Sequence, residues 1–360
     1  MTPIPERSTD RTRDVHDPAF LMGLRQALSA LPAGLRSVAQ LQSLIADGWA
    51  GLPAPGAGRT LQRWQALAAV AEHDLSLAKL YEGHTDALAI QRELHALPPP
   101  ASLAQGWGTW AAESASGRVT ARSADDAGGL TTTVRLHGTK SWCSGAAELG
   151  HGLMTAWVPG SDAPQLVRVA MRQPGVGFDR GVWHAVGMAG SASIDVSFDG
   201  ARAERVGQAG DYLSRPGFWH GGAGVAACWH GGAVALAASL RHAAQARPSA
   251  FRSAALGRVD VALQGSAAML REAARWIDDH PHANARSLAL RVRLSAEQTA
   301  TRVLDEAGRA LGAGAFCRDA VFARMAADLP VFVRQSHAEH DLAALGDDVA
   351  RTEAESTWWL

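Results

Sequence analysis

The hydrophobic period of this chain changes twice, and that order of periods limits the architectures open to it more than any other feature. From Ala19 to about Leu97 apolar residues recur at helical steps: Leu21, Leu24 and Leu28 are spaced by three and four, and Leu61 through Tyr81 reads as one long Ala/Leu helix. Pro98-Pro99-Pro100 closes that section, because successive prolines lack the amide hydrogens a helix needs and hold the backbone extended. Between Trp107 and about Val206 the pattern alternates, as in Gly117 to Ala121, Thr131 to Leu136, Gly152 to Trp157 and Leu166 to Met171, with Gly/Ser/Asp/Pro turns between. After Tyr212 it is helical again over Ala223 to Ala246, Arg252 to Asp278, Asn284 to Leu311 and Arg318 to Leu345, with breaks at Pro248, Pro281 and Gly312. The expected fold class is α+β: an N-terminal helical domain (19–105), a central β-barrel-like domain (106–210) and a C-terminal four-helix bundle (211–360), preceded by a poorly ordered arm (1–18).

Composition narrows the function. A formal net charge of -1 with 47% hydrophobic residues describes a globular protein with no electrostatic bias toward nucleic acid or an anionic membrane. The polar stretch Met1 to Asp17 lacks the apolar segment of a signal peptide. Ala223 to Leu240, the longest apolar run, is rich in Gly and Ala and carries His230, so it reads as a closely packed internal helix rather than a membrane span. Cys143, Cys228 and Cys317 have no CxxC or Cys/His spacing and are expected to be buried thiols of a cytoplasmic protein.

Two runs carry the chemistry. Gly138-Thr139-Lys140-Ser141-Trp142-Cys143-Ser144-Gly145-Ala146 places a tryptophan two residues before a hydroxyl on a strand, where residues i and i+2 face one side. Gly187-Met188-Ala189-Gly190-Ser191-Ala192-Ser193 is a small-residue turn feeding the alternating strand Ile194 to Phe198. Together, and in a helix–strand–helix chain, they resemble the FAD-dependent acyl-CoA dehydrogenase family. The resemblance implies that Trp142 covers a flavin ring and that the Ser144 hydroxyl bonds near its redox-active nitrogen. It implies further that Glu113, in Trp110-Ala111-Ala112-Glu113-Ser114, edges the flavin, with Ala112 standing where the family has a threonine. Phe218 and Arg247 align without a gap with a phenylalanine and an arginine of the family, and Arg247 would reach the FAD pyrophosphate of a neighbouring subunit. Leu311-Gly312-Ala313-Gly314-Ala315-Phe316 resembles the family's glycine turn against FAD, placing Gly312 and Gly314 there, and Arg324 and Asp328 continue the register. A homodimer or homotetramer follows from the same resemblance.

The resemblance fails at the catalytic base. The family's glutamate falls on Ser336, the alternative site on an earlier helix falls on Gly221, and the arginine expected next is Gly222, which bears on CoA recognition. His337, beside the vacant position, is the candidate acid–base group. In Ser336-His337-Ala338-Glu339-His340-Asp341 a helix would splay His340 and Asp341 apart, so no metal is expected. His220-Gly221-Gly222 and Cys228-Trp229-His230-Gly231-Gly232 are compatible with close helix packing or with a wide pocket, and His84-Thr85-Asp86 reads as a helix cap. The expectation is an FAD-dependent oxidoreductase of an acyl thioester such as acyl-CoA, or of a similarly sized small molecule. A flavin monooxygenase on the same fold and a non-catalytic binding protein are the alternatives.

Overall fold

The computed structural model describes residue 13 and residues 19–113, 117–124, 132–352 and 358. Ser114, Thr131 and the arm at 1–18, apart from Arg13, therefore lie outside the described residues. Five helices come first: α1 Phe20–Ser29, α2 Ser37–Ala46, α3 Thr60–His73, α4 Leu75–Glu93 and the single turn α5 Pro100–Leu103. Asp74 breaks α3 from α4 and caps the latter, its carboxylate accepting from the Leu77 amide at 2.7 Å. The expected cap at Thr85 or Asp86 is thus corrected, since both lie inside α4. Pro100 opens α5 at a position where the missing amide costs nothing.

Seven strands follow: β1 Trp107–Trp110, β2 Thr120–Ser123, β3 Thr133–Ser144, β4 His151–Ala156, β5 Gln165–Ala170, β6 Val176–Asp179 and β7 Ser193–Val206. They form one sheet in the order β1-β4-β5-β7-β3-β2, with β6 also on β7; only the β1–β4 pair is parallel. The path does not close by strand pairing, but the Ala121 amide donates to the Trp157 carbonyl just past β4, so the sheet curls back toward its own middle. The sheet is barrel-like in that limited sense.

The C-terminal part holds α6 Asp211–Ser214, α7 Gly217–Ala246, α8 Ala250–Asp279, α9 Arg286–Leu311, α10 Ala313–Arg318, α11 Ala320–Phe332 and α12 Glu339–Arg351. Helix α7 is apolar and long enough to cross a membrane, yet most of it is buried, packed by α3, α8, α9 and α11. Its glycines are the reason for the close fit. A Cβ at Gly231 would collide with the Ala68 carbonyl of α3, and one at Gly232 would press on Leu75 and Leu329. Two expectations are corrected here. The fourth bundle helix is not continuous over 318–345: Pro330 removes a helical donor, α11 ends at Phe332, and Ala338 takes a positive φ of 45° before α12 starts. Cys317 is exposed on α10, while Cys143 and Cys228 are buried. One hydrophobic core runs through all three parts, from Leu24 and Trp64 through Val134 and Val196 to Trp229 and Phe332.

Candidate functional site

Strand β3 carries the first group of candidates and does not alternate as expected. Between Lys140 and Cys143 two residues oppose the single Asp195 of β7, a bulge, and Trp142 within it has φ 58°. A bulky residue in that region is strained. The indole is turned outward, 54% exposed, and the Asp195 carboxylate accepts from the Ser141 hydroxyl at 3.1 Å and the Trp142 amide at 3.4 Å. Ser144 is buried, its hydroxyl 2.8 Å from that of Ser193, which lies 2.9 Å from that of Ser191. The bulge therefore separates the environments of the two side chains that simple alternation would put together.

The turn at 187–193 is fixed from the bundle. Gly187 touches the Ala327 carbonyl so closely that a Cβ would collide with it, and the Met188 amide donates to Asp328, a buried carboxylate of α11. One turn earlier Arg324 pairs with Asp74 at 3.4 Å. The Arg324/Asp328 register thus fastens α11 to the sheet and to the α4 cap.

Sequence reasoning did not single out the second group as a set. On α4, Lys79, Glu82 and Asp86 recur at i, i+3 and i+7 on one face of a largely buried helix. Lys79 pairs with Glu82 at 3.0 Å, and Lys79 and Gly83 line a small pocket with Gly108, Thr109, Trp110 and Ser144. Arg63 of α3 is buried 3.8 Å from Asp86 and donates to the Pro53 carbonyl and the Thr85 hydroxyl. Burial lowers the Arg63 pKa against the pull of Asp86 and Glu82, and burial together with Glu82 raises that of Asp86. Across from them, a Cβ at Gly221 would meet Asp86 Oδ1 at 2.9 Å, whereas one at Gly222 would meet nothing within 4 Å. Arg293 of α9 donates to the carbonyls of Gly222 and Gln335, both at 2.9 Å, and lies over the Trp229 ring. One arginine therefore ties together the backbone residues next to the two vacant base positions, Gly222 beside Gly221 and Gln335 beside Ser336. His84 faces the other way, accepting the Trp107 amide at 3.2 Å, and burial pushes its pKa down to about 4.

The remaining candidates are scattered. Glu113 accepts from Lys140 at 2.8 Å, Thr155 at 2.7 Å and Trp157 at 3.3 Å; partial burial works against ionisation, but these bonds outweigh it and hold the pKa low. Ser336 is buried, its hydroxyl accepting from the Ala338 amide. His337 lies outside any helix, 76% exposed, with Nδ1 3.5 Å from Asp341. Phe218 packs edge-on against Tyr212 and Trp219 at the start of α7, and Arg247 is exposed at its end. Gly312, with φ 69°, is the exposed break between α9 and α10, and Gly314 lies exposed in the first turn of α10. Among the described residues no group of three His, Cys, Asp or Glu side chains could hold a metal ion.

The strained, outward Trp142 offers a stacking face that fits the planar ring of a flavin, while Ser144, buried and bonded to Ser193, lies in a separate environment across the bulge. No family model matches the sequence and no curated protein matches it. Solved structures do. Butyryl-CoA dehydrogenase from Megasphaera elsdenii is similar with a TM-score of 0.77 and 16% identity, over 94% of this chain and 99% of that one. KijD3, in complex with FMN and a dTDP-linked amino-keto sugar, gives 0.74 and 18% over 92% and 91%. Dibenzothiophene monooxygenase (TdsC) from Paenibacillus sp. A11-2 gives 0.72 and 20% over 91% and 93%.

Proposed function

We propose that this chain, which has the acyl-CoA dehydrogenase fold, is a flavin-dependent oxidoreductase acting on a small polar molecule. The observation that carries the reading is Trp142: a large indole held outward on a strained bulge, two residues before Ser144, which with Lys79 of α4 lines a small pocket. A strained residue persists where its surroundings over-determine it, and a ligand contact is a reason for them to do so. In this role Trp142 stacks on the ring, and the hydroxyl chain Ser144–Ser193–Ser191 holds the end of β3, which carries Trp142, against the start of β7. The bound flavin supplies the two-electron redox chemistry. Lys140, Thr155 and Trp157 hold Glu113 ionised beside that region.

FMN and FAD both fit the reading, as the similar proteins include one solved with FMN. For FAD, Arg247 is the pyrophosphate contact and the Gly312–Gly314 segment the nucleotide contact. Arg247 lies 26 residues along α7 from Gly221, about 39 Å at helical rise, so a second chain is needed to bring it to the same cofactor. Phe251, Val261 and Met269, all exposed on α8, support a homodimer or homotetramer.

The charged face of α4 weighs against a hydrocarbon chain there, since burying Lys79, Glu82 and Asp86 under methylenes leaves charge without solvent. A monooxygenase is the second reading. It is favoured by the absence of a carboxylate at both Ser336 and Gly221, where a dehydrogenase would hold its base. The test is the visible spectrum of the purified protein, then anaerobic addition of acyl-CoA thioesters and, separately, supply of reduced flavin with isotopically labelled oxygen. Flavin that is retained and stays oxidised with every thioester is the expected result. A colourless chain that takes up neither FAD nor FMN rejects the flavoprotein reading, and bleaching by an acyl-CoA rejects the polar substrate.

A further inference from the structure

Asp86 combines three properties that a structural carboxylate rarely shares: it is enclosed, it is reachable, and among the described residues no hydrogen bond fastens it. Its side chain is 14% exposed and its ion partner Arg63 stands 3.8 Å away, already committed to Pro53 and Thr85. The charged and titratable groups facing it are Lys79 and Glu82 on its own helix, Arg63 from α3, Tyr212 from α6 and Arg215 ahead of α7. Of these, Arg215 is held by Glu93 at 2.7 Å and Lys79 by Glu82. Gly221 leaves room for the Asp86 oxygen, and next to it the space above Gly222 is open. Arg293, lying over the Trp229 ring, donates to the Gly222 carbonyl at 2.9 Å and so fixes the backbone at the edge of that opening. With the ion pair to Arg63 as long as 3.8 Å and no hydrogen bond to the carboxylate among the described residues, Asp86 keeps acceptor capacity on the side of that opening.

We propose that Asp86 is the ligand-binding carboxylate of this site: it accepts a hydrogen bond from a small molecule presenting an N–H or O–H donor in the opening beside Gly222, and takes that proton when the ligand ionises. In the transfer the ligand's N–H or O–H bond breaks, its electron pair stays on the nitrogen or oxygen, and the new O–H bond is on Asp86. The chemical class is that of amines, hydroxylamines and hydroxyl compounds. The raised pKa of Asp86 suits it to hold a proton that an exposed aspartate would release. The proposal rests on the flavoprotein reading for any redox step but not for binding.

Dicyclohexylcarbodiimide, which modifies protonated carboxyl groups in apolar surroundings, tests this on the full chain with peptide mass spectrometry as the readout. An adduct at Asp86 is expected, suppressed several-fold by methylammonium but not by tetramethylammonium, which has the same charge and no N–H. Asp86→Asn, checked for folding by circular dichroism, locates the adduct by its loss. No adduct at Asp86, protection by both cations, or protection by neither overturns the proposal. Repeating the labelling with FAD and with FMN keeps the two claims apart: a chain that takes up neither flavin sinks the flavoprotein reading, while the contrast between the two cations still decides the role of Asp86.

Discussion

His84 and Trp142 show how single residues answer to their surroundings. His84 is neutral in the fold because burial pushes its pKa to about 4 from an unfolded value of 6.5. Between those pH values the unfolded chain binds a proton that the folded chain refuses, so stability falls as pH drops through that window, by about 3 kcal/mol. His84→Asn, which keeps an acceptor for the Trp107 amide, is expected to flatten that slope in urea unfolding between pH 7 and 4; an unchanged slope would assign the loss elsewhere. Trp142→Ala is expected to weaken flavin binding about tenfold, the worth of a stacked aromatic contact, as read by flavin fluorescence. Trp142→Gly should match it in binding while keeping the bulge, because glycine accepts the positive φ freely. On a substrate found to reduce the flavin, His337→Ala is expected to leave turnover intact, its ring being solvent-facing; a large loss would restore it as the acid–base group. Spacing put Trp142 and Ser144 on one side of a strand, and the bulge between Lys140 and Cys143, which spacing does not announce, separates them. Lys79, Glu82 and Asp86 were not legible as a set, because each reads singly as an ordinary helix charge. Their i, i+3, i+7 recurrence within Leu75 to Ile90, which holds no other Asp, Glu, Lys or Arg, was the available signal.

At the scale of elements, the glycines of α7 divide into those that let helices touch and those that border space. Gly231→Ala drives a methyl into the Ala68 backbone, and its cost is expected to be about 1–3 kcal/mol. Gly222→Ala adds a methyl into open volume on a helix and is expected to stabilise by about 0.5–1 kcal/mol. Equal effects in urea denaturation would mean that α3 and α7 are not in contact as described. The sequence announced that α7 was small-sided, yet close packing and an open flank demand the same residues until a partner helix is placed against them. The break in the last helix was different, since Pro330 was present in the sequence as its cause; what tertiary structure added was the environment of Ser336 and His337 on either side of the turn, one buried and the other exposed.

Across the whole molecule, α11 ties the three parts together through Asp328 at the 187–188 turn and Arg324 at the α4 cap. If FAD bridges two chains through Arg247, Arg247→Ala is expected to lower FAD affinity well below that of wild type while leaving FMN, with its single phosphate, nearly unaffected. Equal losses for both flavins, or a strictly monomeric wild-type protein in sedimentation, would exclude that arrangement. The order of helical and alternating periods determined the α+β architecture from sequence, because amphipathic period is a local property of the chain. The strand carrying Trp142 and the turn before Ile194 were local in the same sense. Only the tertiary structure decided that a bulge turns Trp142 away from the buried Ser144. It also decided that Arg324 and Asp328 serve the joint between domains, and that Asp86 fills the space beside Gly221. Each of those facts depends on what packs against a residue from elsewhere in the chain, and burial, hydrogen bonding and pKa are properties of that packing rather than of the sequence around it.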